Sequence, residues 1–90
     1  MIRLSGHIDP GDELKFSEIA DTIPATEKVE VVLTSNGGSI KGLEIGRIIR
    51  ERKFETIAYI HCASMCASIW LAGVPRSMCK GTHVRLSRGS

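Results

Sequence analysis

"VEVVLTSNGGSIKGLEIGRIIRERK", residues 29–53, runs three kinds of local sequence together. Val29 to Thr34 is apolar and β-branched almost throughout, the pattern of a strand buried on both faces of a parallel sheet. Ser35-Asn36-Gly37-Gly38-Ser39 has the composition of a turn. Beyond it, Ile40, Leu43, Ile45, Ile48 and Ile49 recur at a spacing that predicts a helix over 40–53. Gly42 and Gly46 lie on one face of that helix and would let it pack close to the sheet. A strand, a tight turn and a helix in this order begin a βαβ unit.

The flanks repeat the pattern. "MIRLSGHI" alternates weakly and predicts a first strand. "DPGDELKFSEIADTI" predicts a helix, with Asp9 as N-cap, Pro10 at the first helical position, and Asp12 and Glu13 at the positive end of the dipole. Leu14, Phe16, Ile19, Ala20 and Ile23 mark its expected buried side, and Pro24 stops it. "TIAYIH", 56–61, predicts a third strand, and "ASMCASIWLAG" a short helix ended by Gly73. "VPRSMCKG" reads as a loop and "THVRLS" as a closing strand. The order β-α-β-α-β-α-β predicts an α/β fold with a mainly parallel sheet and crossover helices.

Composition fits that class. The chain has 90 residues, 42% of them apolar and 24% charged, which is ordinary for a soluble globular domain. It is expected to form a single domain over 1–90, or the first part of a longer one. Phe16, Phe54, Tyr59 and Trp70 are the only aromatics, so the core rests on Ile, Leu, Val and Ala. The formal charge of +2 is spread along the chain, which argues against a nucleic-acid face. The basic residues from Arg76 through Lys80 and Arg85 to Arg88 read as a solvated edge. Neither a signal-peptide pattern nor an apolar run of membrane-spanning length is present, so a cytoplasmic protein with no membrane partner is expected, or an exported one if the chain is a fragment.

In open parallel sheets, ligands gather beyond the C-terminal ends of the strands. Two turns fall there. In the first, Gly37-Gly38 frees the backbone to aim N–H groups at an oxyanion or phosphate, or simply to turn. In the second, Cys62-Ala63-Ser64-Met65, a serine sits at a strand-to-helix junction. Its hydroxyl can face a cleft while the next N–H holds a developing negative charge; equally, it can be an N-cap. Ser68, one helical turn further on, reads as a packing residue.

Together the two segments "LTSNGGSIKGLEIGRIIRE" and "HCASMCASIWLAGVPR" resemble the Clp protease proteolytic-subunit superfamily, of the ClpP/crotonase fold, and within it short relatives with a Cys-x-Ser-x-Cys nucleophile segment. The likeness runs from Ile2 to Arg88. It implies ClpP-like βαβ units, truncated relative to the full fold. It implies Ser64 as nucleophile, the N–H groups of Gly38 and Met65 as oxyanion hole, and Gly37 as the first glycine of the groove turn. It also implies a peptide or protein substrate bound as an extended chain, hydrolysis by a Ser-His-Asp triad, and assembly into a homo-oligomer. No cofactor is implied, and an ATPase partner is not specified by these motifs.

The match then breaks. The position that holds the family's histidine reads Ser87, which cannot accept a proton as imidazole does, and the acid has no counterpart. His83 is the candidate replacement base, but it lies four residues from Ser87, roughly 13 Å along a strand. His61 precedes Ser64 by three residues, and His7 reads as a surface histidine. The expected function is therefore a serine-peptidase homologue with impaired catalysis, the alternative a non-catalytic assembly or peptide-binding module. A coenzyme-A-binding crotonase relative fits less well, because those enzymes put backbone donors rather than a serine at the carbonyl. A truncated domain would also expose apolar surface and self-associate.

The cysteines offer a weaker alternative, a metal or redox site. Cys62, Cys66, Cys79 and His83 are spaced C-x3-C-x12-C-x3-H, but the intervening segment reads as core helix and loop, so no metal is expected. Buried reduced thiols are the expectation for Cys62 and Cys66. A disulfide between them is the alternative, its geometry awkward if both lie in a regular helix.

Overall fold

A computed structural model describes residues 1–85. It has strands β1 (Ile2–Ser5), β2 (Glu30–Ser35), β3 (Glu55–Ala63), β4 (Arg76–Met78) and β5 (His83–Arg85), and helices α1 (Asp12–Asp21), α2 (Gly42–Arg52) and α3 (Met65–Leu71). The five strands form one sheet in the order β1-β2-β3-β4, with β5 also pairing with β3. Every pairing is parallel. β4 takes the first half of the β3 edge, Thr56 to Ala58, and β5 the second half, His61 to Ala63. The segment expected as a loop, 74–81, thus supplies an edge strand, entered through a cis Val74–Pro75 peptide.

The helices form a row, α1 against α2 and α2 against α3, on one face of the sheet. Val31, Leu33 and Ser35 of β2 and Thr56, Ala58 and Cys62 of β3 point into that layer and are fully or almost fully buried. Ile45 and Ile49 of α2 and Ile69 of α3 meet them, also with no exposed surface. The second face carries Val32, Thr34 and Ile57, half-buried, and Tyr59, exposed. β2 is therefore buried on one face only, not on two. Parallel sheets usually carry layers on both sides.

The helix faces depart from the sequence reading in a consistent way. In α1, Phe16 and Ala20 are buried while Leu14 and Ile19 are exposed. Ile40 and Leu43 are exposed as well. A row of helices on one sheet face buries only a narrow stripe of each, so apolar residues on the flanks stay in solvent. Gly42 and Gly46 serve a helix contact and not a sheet contact. A Cβ at Gly42 would come within 2.6 Å of Met65 Cγ, and one at Gly46 within 3.6 Å of the Ala72 Cβ. Asp9 does not cap α1 with its side chain; instead its own N–H donates to Asp12 Oδ2 at 2.8 Å. Gly11, at φ 105°, takes the cap position, which starts the helix at Asp12.

β3 is irregular where it approaches the site. Leu33 pairs with Ala58, but two residues later Ser35 pairs with Cys62, so Tyr59 and Ile60 form a bulge. Ile60 has φ 67°, and Thr34 Oγ1 donates to the Tyr59 carbonyl at 2.8 Å, which ties the bulge to β2. Bulges of this kind bend a strand and re-aim the side chains beyond them.

Candidate functional site

Beyond Ala63 the chain reverses direction at Ser64 and enters α3 at Met65. Ser64 has φ 55° and ψ −122°, a conformation that costs an ordinary residue about 1–3 kcal/mol. It occupies the N-cap position of α3, yet its hydroxyl makes no capping hydrogen bond. The N-cap reading of this serine therefore fails on geometry: its place at the helix start is filled, and its side-chain role is not.

Cys62 and Cys66 are joined by a disulfide, with Cα atoms 5.1 Å apart. The reduced-thiol expectation is corrected by this bond. The helix objection does not apply, because Cys62 ends a strand and Cys66 lies in the first turn of α3. The bridge closes a loop around Ala63, Ser64 and Met65, and both cysteines are fully buried. It also removes two of the four residues of the zinc-type spacing, since bonded sulfurs are no longer thiolates. Cys79 is free and exposed.

The glycine turn lies directly against this elbow. A Cβ on Gly37 would stand 2.9 Å from Ser64 Cβ, 3.0 Å from the Ala63 carbonyl oxygen and 3.0 Å from the Met65 nitrogen. Gly37 has φ 103°, so both its conformation and its surroundings require glycine. Its N–H donates to Ser35 Oγ at 2.9 Å, and Ser35 Oγ in turn donates to the Gly6 carbonyl. Its carbonyl accepts from the Ile8 N–H at 2.9 Å, and Ser39 N–H donates to the Ile8 carbonyl at 2.8 Å. Gly38, between these two bonds, has φ 148° and is pressed against Ile8. Among the described residues its N–H finds no backbone acceptor, and neither does that of Met65. The polar groups that hold the turn belong to Ser35, Gly37 and Ile8; those left over belong to Gly38, Ser64 and Met65.

The histidines lie elsewhere. β5 pairs with β3 so that His83 stands opposite His61 and Arg85 opposite Ala63. His83 is therefore three residues short of the level of Ser64, roughly 10 Å along the strand. His7 and His61 line a hollow of about 300 Å³ at the ends of β1, β2 and β3, together with Ser5, Thr34 and Asn36. Ser87 lies outside the described residues. Ser68 is half-buried and its N–H donates to the Ser64 carbonyl at 3.3 Å. Among the described residues no group of three or more His, Cys, Asp or Glu side chains could hold a metal ion. No described helix is long and apolar enough to cross a membrane.

Three features went unread in the sequence: the bulge at Tyr59–Ile60, the edge strand β4 and the pairing of His61 with His83. None of the three carries a local sign: Thr34, which ties the bulge to β2, is 25 residues from Tyr59 in the sequence.

Comparison with solved structures places the fold. The ClpP protease catalytic domain from Plasmodium falciparum superposes with a TM-score of 0.77 at 24% identity, over 94% of this chain and 53% of that one. A membrane-bound stomatin-specific protease, 1510-N in its S97A form, superposes with a TM-score of 0.70 at 18% identity, over 90% of this chain and 43% of that one. The chain thus has the ClpP-like protease fold, an α/β architecture with a parallel sheet, and spans about half the length of the proteins it resembles. No protein-family model matches it, and no curated protein matches it by sequence.

Proposed function

We propose that the chain carries the serine and oxyanion half of a ClpP-like peptidase site and acts on, or binds, an extended peptide or protein segment. Ser64 is the nucleophile position, and the Gly38 and Met65 N–H groups hold the carbonyl oxygen. The observation that carries this reading is Ser64 itself: a non-glycine residue in a strained strand-to-helix turn, with a hydroxyl its helix does not use. Strain of this kind collects at functional sites, and a nucleophile elbow has this form. The unused N–H groups beside it are what a carbonyl oxygen would need.

Catalysis is impaired in this reading. A serine attacks only when a base within about 3 Å takes its proton. The pairing of β5 with β3 sets the candidate base His83 beside His61, below the level of Ser64. A site that keeps its oxyanion donors but lacks a nearby base still binds carbonyls, which favours the peptide-binding module as the second reading. The exposed apolar residues Ile40, Leu43, Tyr59 and Ile60 support assembly with a second copy.

A fluorophosphonate probe followed by intact-mass spectrometry tests the proposal. We expect slow formation of a single adduct that disappears in Ser64→Ala and is unchanged in His83→Ala. Rapid labelling abolished by His83→Ala would restore His83 as the base. No adduct on folded protein, together with no binding of a peptide aldehyde, would overturn both readings.

A further inference from the structure

His61 and His83 form a feature that the peptidase reading does not use. They are direct partners across the parallel pair β3 and β5. Their neighbours Cys62 and Val84 are also partners, and both turn toward the core: Cys62 is fully buried and Val84 packs against the buried cluster. Side chains alternate along a strand, so His61 and His83 both stand on the opposite, uncovered face of the sheet. His61 is half-buried and His83 exposed. Among the described residues only His7 has a carboxylate neighbour, Asp9 at 3.8 Å. Among the described residues no acidic side chain is paired with the other two imidazoles.

We propose that His61 and His83 are a two-imidazole site for a divalent transition-metal ion of the zinc and copper class. Adjacent strands lie about 4.8 Å apart, so the two rings start side by side. Two nitrogens each about 2.0–2.1 Å from one ion lie at most about 4.2 Å apart, so the pair chelates when both rings turn toward one another. Neutral imidazole suits Zn²⁺, Ni²⁺ and Cu²⁺, with Cu²⁺ bound most tightly. Calcium and magnesium need oxygen donors that this pair does not offer. Two protein ligands leave the remaining positions to water. The site is built from strand residues, whose backbones the sheet holds in register. It does not rest on Ser64 being reactive.

The test is titration of the intact chain with Cu²⁺ and, separately, Zn²⁺ at neutral pH, in a Cys79→Ser background that removes the exposed thiol. Binding of one ion per chain is expected, with nitrogen hyperfine structure in the Cu²⁺ electron paramagnetic resonance spectrum. His61→Gln and His83→Gln should each weaken binding at least tenfold, and His7→Gln less than twofold. Both side chains reach solvent, so the variants should keep the native circular dichroism spectrum. Should either variant unfold, substoichiometric Cu²⁺ must broaden the imidazole proton signals of His61 and His83 before those of His7. Loss of binding in His7→Gln, unchanged binding in His61→Gln or His83→Gln, broadening of His7 first, or no binding at all would each overturn the proposal.

Discussion

Replacing Gly37 by alanine tests whether the glycine turn and the Ser64 elbow are in contact. The cost has two parts. Alanine at φ 103° carries backbone strain of about 1–3 kcal/mol, offset by about 0.4–1 kcal/mol because the unfolded chain loses freedom. The added methyl would also stand 2.9 Å from Ser64 Cβ and 3.0 Å from two backbone atoms of the elbow. Backbone atoms cannot swing aside as a side chain does, so overpacking adds about 1–3 kcal/mol. Gly6 separates the parts: at φ 81° it is conformationally similar, but a Cβ there meets nothing within 4 Å. Gly6→Ala should lower the melting temperature by about 4–8 °C, the shift of about 1 kcal/mol in a domain of this size. Gly37→Ala should lower it by about 10 °C or more beyond that. The assay is thermal and urea unfolding followed by circular dichroism, with an unchanged urea slope as the check that only stability moved. Equal losses in the two variants would refute the contact, and with it the placement of Gly38 and Met65 beside Ser64.

Other consequences are as direct. Ser64→Gly should raise stability by about 0.5–2 kcal/mol, because it releases the strain at φ 55° and loses part of that gain to chain entropy; a drop in melting temperature would contradict the strained elbow. Thr56→Val should cost about 1–3 kcal/mol in urea unfolding, since Thr56 is fully buried and its hydroxyl donates to the Trp70 carbonyl at 2.8 Å. Ile69→Ala, at the fully buried centre of α3, should cost about 2–5 kcal/mol by the same measurement. Alkylation of the native chain should add one group, at Cys79, and two more only after reduction in denaturant; three additions without reductant would disprove the Cys62–Cys66 bond.

The sequence by itself determined the element order as far as α3, because that information is local, while the edge strand β4 went unread. β-Branched runs at 29–34 and 56–61 declare strands, and the isoleucines from 40 to 49 declare a helix. The two turns at Gly37-Gly38 and Ser64 were legible for the same reason: glycine pairs and a serine at a strand-to-helix junction have meaning within a few residues. Their contact was not legible, since it depends on β2 and β3 being neighbours in the sheet and on the bulge at Tyr59–Ile60. Which apolar residues stay exposed was also decided above the level of the helix. All eight of Leu14, Phe16, Ile19, Ala20, Ile40, Leu43, Ile45 and Ile49 fit the helical pattern, but the row of helices on one sheet face buries only Phe16, Ala20, Ile45 and Ile49. The disulfide needed a strand end and a helix start placed with Cα atoms 5.1 Å apart, and the sequence alone does not set that distance. The register of β5 is the strongest case. A parallel partner carries no turn to fix its alignment, so nothing near His83 in the sequence says whether it faces Ser64 or His61. Packing of Val84 into the core beside Cys62 makes that choice, and it sets His83 next to His61 and away from the serine.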